Sequence, residues 1–180
     1  LEKSSFSPFN VIENTISILN SKAIDNNVKI EFNHDQSVPE NILGDPFRFQ
    51  QVVVNLLDNA IKYAPNGTAT ISMNLYQNNY LKVVVKDNGK GIEKDKLKMI
   101  FKPYAQEKIN TSRQYGGTGL GLAICDLIIK LMEGNIKVNS TSNGTEFTFT
   151  IPIDVVKNNK KTLSKSNDFS LKNINILMAE

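Results

Sequence analysis

The stretch YGGTGLGLAI, Tyr115 to Ile124, carries four glycines in ten residues and runs straight into an apolar segment with helical spacing. Glycines at a helix start let backbone N–H groups approach an anion, and the helix dipole favours negative charge there. Two common phosphate loops do not fit. A Walker loop needs GxxxxGK[ST], with a lysine for the phosphates and a hydroxyl for magnesium, and the chain has none. A Rossmann turn needs GxGxxG between a strand and a helix. Here Gly117, Gly119 and Gly121 run GxGxG, behind a loop. Two readings stay open for this stretch alone: a phosphate-binding helix start of another fold, or a junction whose glycines serve packing.

Two further motifs lie upstream. VVVKDNGKGI, Val83 to Ile92, reads as a strand delivering Asp87, with Gly89 and Gly91 following at DxGxG spacing. A carboxylate at a strand end can accept a hydrogen bond from the exocyclic amine of a base, and the glycines let a flat ring lie against the backbone. By itself the segment reads as an ordinary Asp-Asn-Gly turn. In NLLDNAIKY, Asn55 and Asn59 are four apart and share a helix face, with Lys62 one turn on and Tyr63 after it. An amide oxygen is a hard ligand suited to Mg²⁺ among phosphates, a lysine can meet a phosphate, and a tyrosine can flank a base. By itself this is also a structural Asn pair.

The surrounding elements decide the fold class. NVIENTISILNSKAIDNN has helical spacing, with Asn10 and Glu13 as a capping-box-like start. VKIEFN alternates Val28, Ile30 and Phe32 inward as a strand. GDPFRFQQVVVNLLDNAIKYA is a helix with Asp45 as N-cap and Pro46 at its first position, ending before Pro65. Two hairpins follow, turning near Asn78–Asn79 and at Asn143–Gly144. Between them lie a short helix in EKDKLKMIF, a polar loop from Lys102 to Gly117, and a second long helix closed by Gly134. Helices and hairpins in this order predict an α+β sandwich with helices on one sheet face.

Composition narrows the function. The 180 residues are 40% apolar and 22% charged, ordinary for a globular domain with a real core. A net charge of +3 without dense Lys/Arg runs argues against nucleic acid. The single cysteine, Cys125, excludes a disulfide framework and a CxxC metal site, and reads as a small buried helix residue. No apolar run is long enough to span a bilayer, so no membrane contact is expected of this segment.

Taken in order, the motifs resemble the catalytic ATP-binding domain of sensor histidine kinases. The N box looks like NLLDNAIKY, the G1 box like DNGKGI, the F box like IFKPYAQ and the G2 box like GGTGLGLAI, over roughly Phe6 to Ile153. The resemblance implies a two-layer sandwich: a mixed five-stranded sheet, three helices packed on one face, and a long ATP lid loop. It implies ATP and Mg²⁺ as ligands. Asn59 would coordinate Mg²⁺, with Asn55 a second candidate at the metal–phosphate end. Asp87 would bind the adenine amine, with Gly89, Gly91 and Ile92 bordering the base and Tyr63 near the adenine or ribose. Lys62 and the segment Gly117, Thr118, Gly119, Leu120 and Gly121 would contact phosphates. Phe101 to Gly116 would form the lid, with Phe101 and Tyr104 packing it to the body and Lys108 and Arg113 reaching phosphate.

Asn55, Asn59 and Lys62 are thus the expected catalytic set, and the implied activity is transfer of the γ-phosphoryl group to a histidine in a two-component phosphorelay. Hydrolysing ATPases of the same fold (gyrase-type topoisomerases, MutL-type repair proteins and one chaperone class) place a Glu where this chain has Asn55. An amide cannot take a proton from water, so transfer is favoured over hydrolysis. A non-catalytic pseudokinase module is the third reading; the intact Asn59, Asp87 and glycine set argues against it.

The only histidine, His34, sits at a strand end and reads as a surface residue. The acceptor helices, and with them the dimer interface of a homodimeric parent, are expected upstream of Leu1. The expected layout is a catalytic domain over 1–153, a linker over 154–173, and over 174–180 the truncated first strand of a receiver domain, as in a hybrid kinase. The segment itself is expected to be monomeric and cytoplasmic, with acceptor helices and a receiver domain as partners. One departure from the family is Glu133-Gly134 in place of Gly-Gly, with little effect expected because Gly134 keeps the cap.

Overall fold

A computed structural model describes residues 2–77, 79–103 and 119–155. The expected linker beyond 155, the receiver strand, and the lid and glycine-loop positions 104–118, which include Lys108, Arg113, Gly117 and Thr118, lie outside the described residues.

The elements run β1 (Ser4–Phe6), α1 (Pro8–Asp25), β2 (Lys29–His34), β3 (Ile42–Gly44), α2 (Pro46–Tyr63), β4 (Thr68–Tyr76) and β5 (Tyr80–Asp87). They continue with α3 (Lys94–Leu97), α4 (Gly121–Leu131), β6 (Asn135–Thr141), β7 (Gly144–Pro152) and β8 (Asp154–Val155). Five strands form one sheet in the order β2-β4-β5-β7-β6. β2 is parallel to β4 and every other pair is antiparallel, so the sheet is mixed. Both hairpins form; the β6–β7 turn is Ser142–Asn143 rather than Asn143–Gly144, because Gly144 already pairs with Thr141 as the first residue of β7, and Asn78 of the β4–β5 turn lies outside the described residues.

Period-2 alternation builds the core. Ala69, Ile71 and Met73 of β4, Leu81, Val83 and Val85 of β5, and Phe147, Phe149 and Ile151 of β7 are buried on one face. The apolar faces of α1, α2 and α4 cover them, and α2 is central, with Phe49, Val53, Leu56, Leu57 and Ile61 at or near zero exposure. Burying one such side chain is worth about 1.5–3 kcal/mol. Phe49 joins Phe149 of the sheet, ring centroids 6.0 Å apart.

The helix ends test the sequence reading closely. Asp45 caps α2 with Pro46 in its first turn, and Oδ1 accepts the Arg48 N–H at 3.0 Å. For α1 the cap is Ser7, whose Oγ accepts the Asn10 N–H, and Pro8 opens the helix. The capping box anticipated at Asn10 is therefore not the start; Ser7-Pro8 supplies both the acceptor and the preset φ three residues earlier. At the end of α4, Glu133 N–H bonds the Lys130 carbonyl and Gly134 N–H bonds the Ile129 carbonyl, a Schellman closure. The left-handed residue in it is Glu133, φ +57°, not Gly134. Gly134 is needed for another reason: a Cβ there would lie 2.2 Å from the Thr150 carbonyl oxygen.

The sequence reading did not anticipate a second sheet, β1-β3-β8. It pairs Ser4–Phe6 with Ile42–Gly44 and the latter with Asp154–Val155, and Lys3 Nζ bridges Asp154 at 2.7 Å. Regular pairing thus runs two residues past Ile153.

Candidate functional site

β5 sets Asp87 at its last position, with the side chain on the buried face of the sheet. It is 5% exposed. Oδ1 accepts the Gly89 N–H at 2.9 Å and the Thr145 N–H at 3.3 Å. Among the described residues both bonds go to Oδ1, which leaves Oδ2 as an acceptor for a ligand. Burial raises the carboxyl above its ordinary value, against the pull of the two backbone donors. Thr145, on the neighbouring strand, is a site residue that the motif reading missed; its side chain is ordinary, and only cross-strand register brings its amide to Asp87.

The turn after Asp87 is wedged into place at both glycines. A Cβ on Gly89 would lie 2.1 Å from the Tyr63 carbonyl oxygen, and one on Gly91, φ +71°, would lie 1.7 Å from that of Thr141. Both positions therefore require glycine for close approach. Asn88 Oδ1 accepts the Thr68 N–H at 2.7 Å, tying the turn to β4. Ile92 N–H donates to Ser140 Oγ at 2.8 Å, which fixes the exit of the turn. Ser140 is a second residue that no motif announced.

α2 brings Asn55, Asn59, Lys62 and Tyr63 along its exposed edge, all half-buried. Lys62 Nζ stands 5.0 Å from the Tyr63 ring centroid. α4 approaches the same helix: a Cβ on Gly121 would be 3.5 Å from Asn55 Oδ1. The N box and the end of the G2 box, 66 positions apart from Asn55 to Gly121, are thus neighbours. Gly119 has φ +70°, a conformation suited to glycine. Leu120 is the N-cap of α4 and supplies no side-chain acceptor, so the first-turn N–H groups carry no side-chain cap. Cys125 lies one turn further, fully buried, its thiol pushed up to about 12 by burial. It is a neutral core residue, as the sequence suggested.

Phe101 packs edge-on against Phe147, centroids 6.4 Å apart, and anchors the segment that leads toward 104–118. His34 is exposed at the end of β2, edge-on to Phe9 of α1 and tilted against Phe32. No helix among the described residues is long and apolar enough to cross a membrane.

The donor set suits a magnesium nucleotide. Among the described residues no hydrogen bond occupies the Asn59 amide, which faces the same side as Asn55, and no cluster of three His, Cys, Asp or Glu competes as a metal site. A hard cation bound by few protein oxygens and several phosphate oxygens is the usual magnesium arrangement.

Residues 44–155 match the model of the family described as histidine kinase-, DNA gyrase B-, and HSP90-like ATPase. Among curated relatives, the autoinducer 2 sensor kinase/phosphatase LuxQ of Vibrio harveyi is 40% identical over 118 residues, 62% of this chain and 14% of that protein. The signal transduction histidine-protein kinase BarA of Escherichia coli K12 is 32% identical over 163 residues, 88% of this chain and 18% of that protein. The chain therefore spans less than a fifth of the length of these relatives. Among solved structures, the nucleotide-free catalytic domain of histidine kinase ThkA superposes with a TM-score of 0.71 at 29% identity, covering 84% of this chain and 98% of that domain. ThkA has also been solved in complex with the response regulator TrrA. Full-length ShkA in complex with AMPPNP shares the fold, TM-score 0.78 at 24% identity, over 87% of this chain and 32% of that one. With the DxGxG turn, the Asn pair and the glycine-led helix in one place, this chain belongs to the histidine kinase-, DNA gyrase B- and HSP90-like ATPase family, and its relatives within that family are sensor histidine kinases.

Proposed function

We propose that this domain binds Mg-ATP and donates the γ-phosphoryl group to a histidine on dimerisation helices of the same parent kinase, in a phosphorelay that continues to a receiver domain. The observation that carries the reading is Asp87: a buried carboxylate with Oδ1 held by two backbone amides and Oδ2 open. It supports capture of an adenine amine, with Gly89 and Gly91 giving the ring a flat backbone wall and Ile92 an apolar border. Tyr63 would flank the base or ribose.

The phosphates would run along α2 toward α4, to Lys62, to the amides of Gly119, Leu120 and Gly121, and to Gly117 and Thr118. Asn59, with Asn55 beside it, would hold Mg²⁺, which when bound neutralises charge on the phosphoryl oxygens. Positioning and charge neutralisation are the whole catalytic task. Asn55, lying against Gly121, holds no proton-accepting group where a hydrolysing relative carries a carboxylate, and the neighbouring Cys125 is neutral. Both facts support transfer over hydrolysis. Lys108 and Arg113 are the lid's proposed phosphate contacts.

The proposed domain layout moves the end of the catalytic unit from the expected 153 to 155, because Asp154–Val155 pair with β3, and keeps the following residues to 173 as linker and 174–180 as the start of a receiver domain. The proposed setting is cytoplasmic, with the segment monomeric and the parent a homodimer.

The test is calorimetric titration of ATP with Mg²⁺, followed by phosphorylation of a separately supplied acceptor helix pair. Asp87→Asn should weaken ATP binding about 10–100-fold, the cost of losing a charged hydrogen bond. ATP binding without any transfer to the cognate acceptor would sink the kinase reading in favour of a non-catalytic module.

A further inference from the structure

We infer that Ser140 is a specificity-determining positioning residue of the nucleotide site: its hydroxyl sets the polarity of the Thr145 hydroxyl beside Asp87, so that this edge of the site accepts an amine and refuses a carbonyl. The inference rests on the ATP-site reading above. Cross-strand register brings Ser140 of β6, Thr145 of β7 and Asp87 of β5 into one row. Their side chains continue the face that buries the core, and the adjoining row is Val138, Phe147 and Val85. An apolar face thus ends in a wholly polar row. Thr145 and Asp87 are nonetheless only 6% and 5% exposed.

Polar groups at that depth need partners, and counting hydrogens assigns them. Ser140 Oγ accepts the Ile92 N–H at 2.8 Å. It lies 3.1 Å from the Gly144 carbonyl oxygen and 3.0 Å from Thr145 Oγ1. A carbonyl can only accept, so the single Ser140 hydrogen goes to Gly144. Thr145 must then donate the bond to Ser140. That spends the only hydroxyl hydrogen of Thr145 and leaves its Oγ1 with lone pairs alone. Across the ladder, the Asp87 carboxylate has Oδ1 held by the Gly89 and Thr145 amides, and Oδ2 is an acceptor too. The row therefore offers acceptors and no side-chain hydrogen. The backbone around it has little slack: a Cβ on Gly144 would lie 2.0 Å from the Asp87 carbonyl oxygen. A base that presents an exocyclic amine here is matched. One that presents a carbonyl sets oxygen against oxygen where little water can intervene.

The experiment is titration of ATP and of inosine triphosphate, which carries a carbonyl in place of the amine, each with Mg²⁺, into the full chain and its variants at neutral pH. The unaltered chain should prefer ATP. Ser140→Ala frees the Thr145 hydrogen to meet a carbonyl, and should narrow that preference about three- to tenfold. Ser140→Thr keeps the hydroxyl and should keep the preference. Thr145→Val removes the oriented oxygen and should narrow the preference likewise, so the test does not hang on one variant folding. Adding Ser140→Ala to Thr145→Val should change the preference no further, because Ser140 acts through Thr145. Equal losses of both nucleotides in Ser140→Ala, or the same narrowing in the Thr145→Val background, would make Ser140 a brace for the turn and overturn the inference. Equal binding of the two nucleotides by the unaltered chain would overturn it as well, with the ATP site intact. Failure of the unaltered, folded chain to bind ATP would overturn the site reading itself.

Discussion

The N-termini of α2 and α4 present the same unsatisfied amides and treat them in opposite ways. At α2, the buried Asp45 accepts the Arg48 N–H with one oxygen and, at 3.2 Å, the Glu2 N–H with the other. One carboxylate thus closes the helix and ties down the chain leading into β1. The nearby Phe6 and Phe49 rings, 5.7 Å apart, complete that junction. At α4, Leu120 offers no acceptor and a left-handed glycine precedes it. The helix that organises the core carries its own anion, while α4, which approaches α2 at Asn55, has no side-chain cap on its first turn. The difference separates an end closed for stability from an end that, on the function proposed above, would receive phosphate.

The comparison can be broken most forcefully at its closed end. Asp45→Ala should cost about 2 kcal/mol of stability in denaturant unfolding, the upper range for a lost N-cap, and should leave the ATP affinity of the folded domain nearly unchanged. A large loss of affinity with no loss of stability would show that the two helix ends are not separable. The open end is tested by supplying the missing cap. Leu120→Asp should raise stability by about 0.5–1 kcal/mol and weaken ATP about tenfold, because the new carboxylate occupies and repels where phosphate is proposed to sit. Unchanged ATP binding would move the phosphates elsewhere.

The far end of α4 gives a smaller effect. Glu133→Gly should stabilise the domain by about 1 kcal/mol by relieving a left-handed non-glycine residue, read as a rise in Tm with ATP affinity unaltered. Gly134→Ala should do the opposite, since its Cβ would meet the Thr150 carbonyl. The expectation that Glu133 matters little underrated this position: in the Schellman closure the left-handed burden falls on it rather than on Gly134.

The smallest effect is the pH dependence carried by Asp87. Its folded carboxyl sits above the ordinary value because of burial. The folded state therefore binds this proton more readily than the unfolded chain does. Stability from this group rises as pH falls through the folded pKa, is complete below the unfolded value of 3.8, and is lost as pH climbs back through the window. Asp87→Asn should remove that slope from the unfolding free energy measured between mildly acidic and neutral pH. If the slope persists in the variant, its source lies in other carboxylates.

Legibility followed the range of the signal. The α2 start at Asp45-Pro46, the two hairpins and the inward faces of β4, β5 and β7 are written in local spacing, and the fold has them. Of the candidate site, Asn55, Asn59, Lys62, Asp87, Gly89 and Gly91 could be proposed from the sequence because a motif with its flanking element names the atoms it needs. The short strands β1, β3 and β8 were not, since two or three residues carry no periodicity and their partners lie far apart in the chain. Ser140 and Thr145 were equally silent: each acts through one hydroxyl or amide whose position depends on β6–β7–β5 register.

By itself, then, the sequence determined the long helices and hairpins, the faces they bury, and the groups proposed to meet a nucleotide, because capping, turn chemistry and hydrophobic period act over a few residues. Only the tertiary structure decided that Asp87 keeps one oxygen open, that Gly89 and Gly91 are glycines because carbonyls press on them, and that the Ser140 and Thr145 hydroxyls meet. Those facts are contacts between segments distant in the chain, and packing in three dimensions alone sets them.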